Sequence, residues 1–365
     1  MSSGTGGISM EELQLAARNH GMPLEALRYD VTPVGLHYLL IHFDIPAADE
    51  RAWRLEIDGR VERPLALTME ELRRRPQVTA PVTLECAGNG RARLDPRPVS
   101  QPWLEEAVGT AEWTGTPLRP LLEEAGVGPG AVEVMFGGAD RGVQGGLEHD
   151  YERSLPLEEA MREEVLLAWG VNGRPLPPQH GHPLRLVVPG WYGMTSVKWL
   201  RRISVLTEPF DGYQQTGTYL LHASEDDPGT PVTRIQPRSL LVPPGIPSFE
   251  SRERFCAPGH HLLTGRAWSG LAPVARVEVS ADGGGSWRPA ELAPQLSPWA
   301  WAGWSLPWEA IPGVYELCSR ATDGAGNTQP LDAPWNTGGY ANNAVQRVRV
   351  TVRPGPLGGT PGPGG

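Results

Sequence analysis

The stretch Ile235–Phe249, IQPRSLLVPPGIPSF, constrains this chain most, because Pro237, Pro243, Pro244 and Pro247 each remove a backbone donor and fix φ. Such a segment suits a linker, and a chain of 365 residues is too long for one ordinary core. Two packed units are therefore expected, one on either side. Before the linker, Met69–Arg74 (MEELRR) and Leu118–Ala125 (LRPLLEEA) carry apolar residues at helical spacing, while Val132–Phe136, Val165–Ala168 and Leu184–Val188 read as strands. This mixture implies an α+β domain. No G-x-G-x-x-G follows a strand, which disfavours a dinucleotide fold. After the linker, Ala275–Ser280 alternates apolar and polar residues, Asp282-Gly283-Gly284-Gly285 turns the chain, and Trp287 resumes it as a hairpin. Val314–Arg320, a turn at Asp323–Asn327 and the alternating Gln346–Val352 follow. Short strands between glycine-rich turns over this span indicate an immunoglobulin-like β-sandwich.

Composition excludes several function classes. A net charge of −10 argues against nucleic acid, whose binding needs a basic face, and suits a basic protein partner instead. No run of about 18 apolar residues is present to span a bilayer, so no membrane partner is expected. Met1–Gly7 lacks the basic start and apolar run of a secretory leader, which reads as cytoplasmic as given and as periplasmic if a leader has been removed. Cys86, Cys256 and Cys318 are too scattered for a disulfide framework or a haem-attachment motif, and whether Cys256 and Cys318 pair is open. Lys198 is the one lysine among 32 basic residues. A compact ammonium kept where arginine is used elsewhere is either a chemical requirement or a survivor of codon bias.

The chemistry centres on Val82–Arg91, VTLECAGNGR, where Cys86 ends a β-type run and enters a Gly/Asn loop. Taken alone, that cysteine reads either as a buried inert thiol or as a reactive thiolate favoured by a nearby arginine.

C-A-G-N-x-R at a strand end resembles the signature of the sulfite oxidase family, and the resemblance runs from about Tyr29 to Val352. Gly109–Gly115 (GTAEWTG), Asn172–Gly190 (NGRPLPPQHGHPLRLVVPG) and Val197–Leu200 (VKWL) resemble its cofactor-domain segments, in order. AWSG at Ala267–Gly270, VEVSADGGGSW at Val277–Trp287 and Trp335-Asn336 resemble its dimerisation domain. The resemblance implies a molybdopterin-binding α+β domain followed by the sandwich: an N-terminal extension over 1–28, the catalytic domain over 29–235, the linker over 236–249, a dimerisation domain over 250–353 and an unfolded tail over 354–365. It implies a molybdenum–molybdopterin cofactor with Cys86 as the metal's thiolate ligand, a soft donor suited to a sulfur-rich site. It further implies that His180, Arg185, Ser196 and Lys198 bind the pterin and its phosphate, with His42 in YLLIHF and Asp140 in FGGAD as further contacts. His182, in the same loop as His180, takes mainly a structural role. Arg91 is expected to face the substrate, Tyr219 to donate its phenol at the metal, and Trp103 to wall the pocket.

Two departures from the family weaken the anion pocket. Leu40 stands where the family has an arginine before its Asn-His pair, and the arginine expected after Trp335-Asn336 is replaced within Thr337-Gly338-Gly339-Tyr340. Each lost charge-assisted hydrogen bond forfeits roughly 1.5 to 3 kcal/mol of anion binding. The W-N-x-G-G-Y form is similar to the bacterial branch that includes sulfane dehydrogenase subunits. The implied reaction is oxygen-atom transfer to a small sulfur compound, sulfite by default, with electrons leaving to an external acceptor such as a c-type cytochrome and a homodimer formed through the second domain. The alternative with the same cofactor is reduction of a sulfoxide or another oxidised substrate. Two other classes compete: a hydrolase with Cys86 as nucleophile and His180 as base, and an adhesion module built on the sandwich.

Overall fold

The computed structural model describes residues 7–224 and 226–355, which form two compact units. The first comprises the chain up to Met22, Val31–Ile235 and Pro334–Asn342; the second comprises Pro23–Asp30, Gln236–Ala333 and the chain from Asn343.

The first unit holds two sheets. One runs in the order Leu65–Thr68, Arg54–Gly59, Leu200–Leu206, Glu133–Gln144, Leu147–Pro156, with Arg54–Gly59 parallel to Leu200–Leu206 and the other pairs antiparallel. The other is antiparallel and joins Val78–Glu85, Val108–Pro117 and Leu166–Val171, whose far side pairs with Arg174–Pro175 and Arg185–Val187. The helix Met69–Arg73 starts at a capping box in which Thr68 and Glu71 satisfy each other's backbone N–H groups. The helix Arg119–Ala125 stops at Gly126, whose φ of +72° suits a residue without Cβ. Both helices pack Leu72, Leu121 and Leu122 into a core with Leu55, Ile57, Phe136 and Trp199.

The second unit is a sandwich. A four-stranded sheet orders Arg238–Leu241, Gly259–Trp268, Ala302–Ala310 and Glu291–Leu292. The six-stranded sheet orders Ile246–Pro247, Arg254–Cys256, Val348–Val352, Gly313–Asp323, Val274–Ser280 and Arg288–Pro289. The hairpin expected around Asp282 forms, with Val279 opposite Arg288, and the Asp282 carboxylate caps its turn by accepting from Ser286 N–H at 2.9 Å. Leu263, Val277, Ala302, Leu317 and Val350 fill the space between the sheets. Cys256 and Cys318 are buried in it as free thiols.

Three sequence expectations are corrected. The linker over 236–249 is not free: Arg238–Leu241 is a fully buried strand on Gly259–Trp268, and the Ser239 and Leu241 N–H groups donate to the Gln329 and Gln346 side chains at 2.8 Å. The prolines bracket that strand and leave its own donors intact. Within the expected extension over 1–28, the described residues 7–28 are also part of the packed units. Ser9 and Glu12 form a capping box for the helix Met10–Arg18, and Glu12 is buried against Arg97 at 3.1 Å. Pro23–Asp30 belongs to the second unit, where Arg266 Nε donates to Leu27 O at 2.8 Å and Trp301 Nε1 to Asp30 O at 2.7 Å. Pro334–Asn342, expected within the dimerisation domain, belongs to the first unit. Its Trp335 Nε1 donates to Pro96 O at 2.8 Å, Ala341 N to Ala87 O at 2.8 Å and Asn342 Nδ2 to Gly90 O at 2.7 Å. Apart from Pro354 and Gly355, the expected tail lies outside the described residues.

Candidate active site

The last four residues of the strand Val78–Glu85 are buried, and the chain then turns sharply at Cys86. Asn89 builds the turn. Its backbone N–H donates to Cys86 O at 3.0 Å, its Nδ2 donates to Glu85 Oε1 at 2.9 Å, and its Oδ1 accepts from Ala107 N at 3.0 Å. Gly88 is required because a Cβ there would lie 2.7 Å from the Arg91 guanidinium. Gly90 takes φ +88° and would press a Cβ on Asn342 O at 2.9 Å. The C-A-G-N-G-R order is thus a mould that brings Cys86 and Arg91 to one side. Burial pushes the Cys86 thiol above its ordinary range, opposed by the Arg91 guanidinium, the Gly88 backbone N–H and the Trp103 indole.

Cys86 lies in the wall between two cavities. The first is lined by His37, His42, Asp140, His180, Arg185 and Lys198, among others. The second, about 480 Å³, is lined by Arg91, Gln101, Trp103 and Tyr340, among others. Leu40, His42, Cys86 and Tyr219 line both.

In the first cavity the positive groups are held by carbonyls. Lys198 Nζ donates to Leu40 O at 2.7 Å and Gln179 O at 3.2 Å, with the Trp199 ring centroid 4.4 Å away. Arg185 donates to His180 O and Ser196 O, each at 3.2 Å, and lies 4.6 Å over the Trp113 ring. Ser196 Oγ accepts from Val188 N at 3.1 Å, which fixes the strand end. Burial, with Arg185 nearby, brings the Lys198 ammonium down to about 7; burial raises the Asp140 carboxyl to about 7 despite the attraction of Lys198. Asp140 Oδ1 is buried and has no hydrogen-bond partner among the described residues. Burial, and then the neighbouring cationic groups, push His180 down to about 2, and burial holds His37 at about 4. The two imidazoles meet edge to face at 5.7 Å. His42 is also held at about 4 by burial, and its Nε2 pairs with Gln144 Oε1 at 2.7 Å.

In the second cavity Arg91 is buried, with Nε on Gly338 O at 2.9 Å, NH1 on Gln101 O at 3.3 Å and its carbon 5.0 Å from the Tyr340 ring centroid. The Tyr340 ring lies tilted against that of Tyr219 with centroids 5.2 Å apart, and its hydroxyl pairs with Thr218 Oγ1 at 2.8 Å. Tyr219 takes φ +57°, a left-handed conformation that costs a bulky residue roughly 1–3 kcal/mol and that clusters at functional sites.

The family model of the oxidoreductase molybdopterin binding domain matches residues 42–214, and that of the Mo-co oxidoreductase dimerisation domain matches residues 251–353. The crystal structure of the sulfane dehydrogenase SoxCD from Paracoccus pantotrophus superposes with a TM-score of 0.79 at 28% identity, over 96% of this chain and 94% of that one. The chain belongs to the sulfite oxidase family of molybdopterin oxidoreductases. Nitrate reductase (NADH) 1 of Arabidopsis thaliana is 34% identical over 92% of this chain, and nitrate reductase (NAD(P)H) of Hordeum vulgare is 36% identical over 88%. The chain spans 40% and 39% of the length of those two relatives.

For a sulfite oxidase family member the donor set fits the expected group. A thiol stands at the head of a cavity that offers an ammonium, a guanidinium, neutral imidazoles and an orphaned carboxyl oxygen. Among the described residues no group of three His, Cys, Asp or Glu side chains is placed to hold a metal. Every residue expected from sequence to bind cofactor or substrate lines one of the two cavities: Asp140, His180, Arg185, Ser196 and Lys198 the first, Arg91 and Trp103 the second, and His42, Cys86 and Tyr219 both. His182 lines neither and lies 3.8 Å from Glu50. Sequence reasoning missed His37, hidden in an apolar stretch, and Tyr340, which the fold brings from Pro334–Asn342. Leu40, in the place of a family arginine, lines both cavities with an apolar side chain.

The buried imidazole makes stability depend on pH. His37 is neutral when folded, with a value near 4 against 6.5 ordinarily, so its contribution is present above pH 6.5 and is lost as pH falls toward 4. Urea unfolding of cofactor-free protein at pH 6.5 and 4.5 should show His37→Gln losing about 2 kcal/mol less than wild type between the two pH values. Equal losses would show that His37 is not held neutral.

Proposed function

We propose that the chain transfers an oxygen atom to a small sulfur compound at a molybdenum–molybdopterin group and passes the electrons to an external acceptor. The observation that carries this reading is the place of Cys86, its side chain in the wall shared by a cation-lined cavity and a second cavity that bears a single buried arginine. When bound, the group supplies two-electron oxygen exchange. Cys86 would ligate the metal as a thiolate, a charged form that Arg91 beside it favours. Lys198 and Arg185 would hold the anionic groups of the pterin, and the Asp140 carboxyl, whose Oδ1 has no partner among the described residues, would be a further contact. Arg91 draws the anionic substrate inward, and the Tyr219 hydroxyl donates to it.

Arg91 is the only buried cation lining the second cavity among the described residues, because Leu40 and Tyr340 contribute none. One buried arginine with the exposed Arg18 and Arg141 at the rim suits a small sulfur oxyanion, with sulfite as the default test substrate. The likeness to a sulfane dehydrogenase over 94% of its solved chain supports the sulfur reading. Nitrate reduction is the second reading, favoured by the sequence likeness to nitrate reductases and by the single charge of nitrate. Purified protein should oxidise sulfite or thiosulfate with an artificial acceptor faster than it reduces nitrate or dimethyl sulfoxide with an artificial donor; the opposite ranking overturns the proposal. Cys86→Ser should keep its pterin and lose turnover, and full activity in that variant would reject the ligand assignment.

The acidic chain suits a basic c-type cytochrome as acceptor. A homodimer through the second unit is supported by the dimerisation model and by the exposed Leu262, Ile311 and Val314 on its surface. Light scattering at micromolar concentration should give twice the chain mass, and a monomeric mass removes the dimer.

A further inference from the structure

Arg153 is a buried guanidinium in the first unit with no carboxylate within ion-pair distance among the described residues. It lies in the strand Leu147–Pro156, where alternation turns Tyr151 and Arg153 inward and leaves Glu152 on the other face. Its NH1 donates to Gln214 O, and its Nε has no hydrogen-bond partner among the described residues. Its carbon lies 5.4 Å from the Tyr219 ring centroid. Arg153, Tyr219, Tyr340 and Arg91 therefore follow one another as guanidinium, phenol, phenol and guanidinium, with separations of 5.4, 5.2 and 5.0 Å. A charge left uncompensated in a buried site is expensive to fold around, and a cation against a phenol face is held by the ring quadrupole and polarises the hydroxyl.

We infer that Arg153 supplies the second buried positive charge of the substrate cavity, behind Arg91, acting through the Tyr219 ring as a specificity-determining residue that favours anions. It takes up from behind the tyrosine part of the role that Leu40 and Tyr340 leave unfilled at the cavity wall. Arg153 touches neither cavity itself, so its effect falls on affinity for charged substrates and not on the reacting atoms. Burial pushes its own value down, consistent with a guanidinium that lacks a counter-ion until an anion arrives. The inference rests on the second cavity being the substrate site.

Inorganic sulfate is the probe. Equilibrium dialysis of the cofactor-loaded full chain uses a background with the exposed rim arginines Arg18 and Arg141 changed to alanine. Arg153→Gln should weaken sulfate binding about tenfold, equal to about 1.4 kcal/mol, and Arg153→Lys should restore most of it. KM for sulfite should rise by a similar factor in Arg153→Gln with kcat and molybdenum content held, while KM for dimethyl sulfoxide stays unchanged. If Arg153→Gln does not fold, Arg91→Met decides the matter, because sulfate binding should then persist in weakened form. Unchanged binding in Arg153→Gln, a lysine variant that folds yet binds no better than glutamine, or complete loss of binding in Arg91→Met would each overturn the inference. Intact sulfate binding without turnover of any substrate would reject the functional reading and leave the charge assignment standing.

Discussion

The side chain of Asn89 is the constraint from which the site follows. It accepts from Ala107 N and donates to Glu85, and so ties the end of one strand to the approach of its neighbour while the backbone reverses beneath it. A buried amide so fully used is costly to disturb, because any replacement leaves donors and acceptors without partners. Its rigidity fixes where Cys86 ends the strand and where Arg91 begins the next turn. A sulfur in a flexible loop would give a metal no defined open face.

Around that turn the protein accepts electrostatic costs that an ordinary core avoids. Arg185, Asp140, His37 and His180 are buried and Lys198 is half-buried, and their proton affinities are displaced toward the neutral form. Carbonyl oxygens from Leu40, Gln179, His180 and Ser196 compensate part of the cost, and aromatic faces from Trp113 and Trp199 compensate more. What remains is the Asp140 Oδ1, a buried acceptor with no hydrogen-bond partner among the described residues. The solitary lysine of the sequence sits in this set, where a compact ammonium meets two carbonyls at once.

Much of this was legible beforehand, and for physical reasons. The cofactor-side residues lie in short ordered segments, QHGHPLR and VKWL, whose resemblance to the cofactor segments of the sulfite oxidase family marks them. The hairpin at Asp282 was legible because turn chemistry is local. The prolines of 236–249 misled because proline marks the ends of an element as readily as its absence, and Arg238–Leu241 lies between two of them. Leu147–Pro156 escaped notice because its sequence, LEHDYERSLP, is too polar to resemble an inner strand, yet it carries Tyr151 and Arg153 into the unit. Tyr340 lay beyond local reasoning altogether. Pro334–Asn342 follows the sandwich strands in sequence, and only the hydrogen bonds to Pro96, Ala87 and Gly90 assign it to the catalytic unit.

The central claim is a bond between the Cys86 sulfur and molybdenum. X-ray absorption at the molybdenum edge of the purified protein reads it directly, because scattering from sulfur neighbours is resolved from that of oxygen. Wild type should show one more sulfur neighbour than the pterin supplies, and Cys86→Ser should lose that neighbour while keeping the rest. An identical sulfur shell in the two proteins, or purified protein that carries no molybdenum at all, would contradict it.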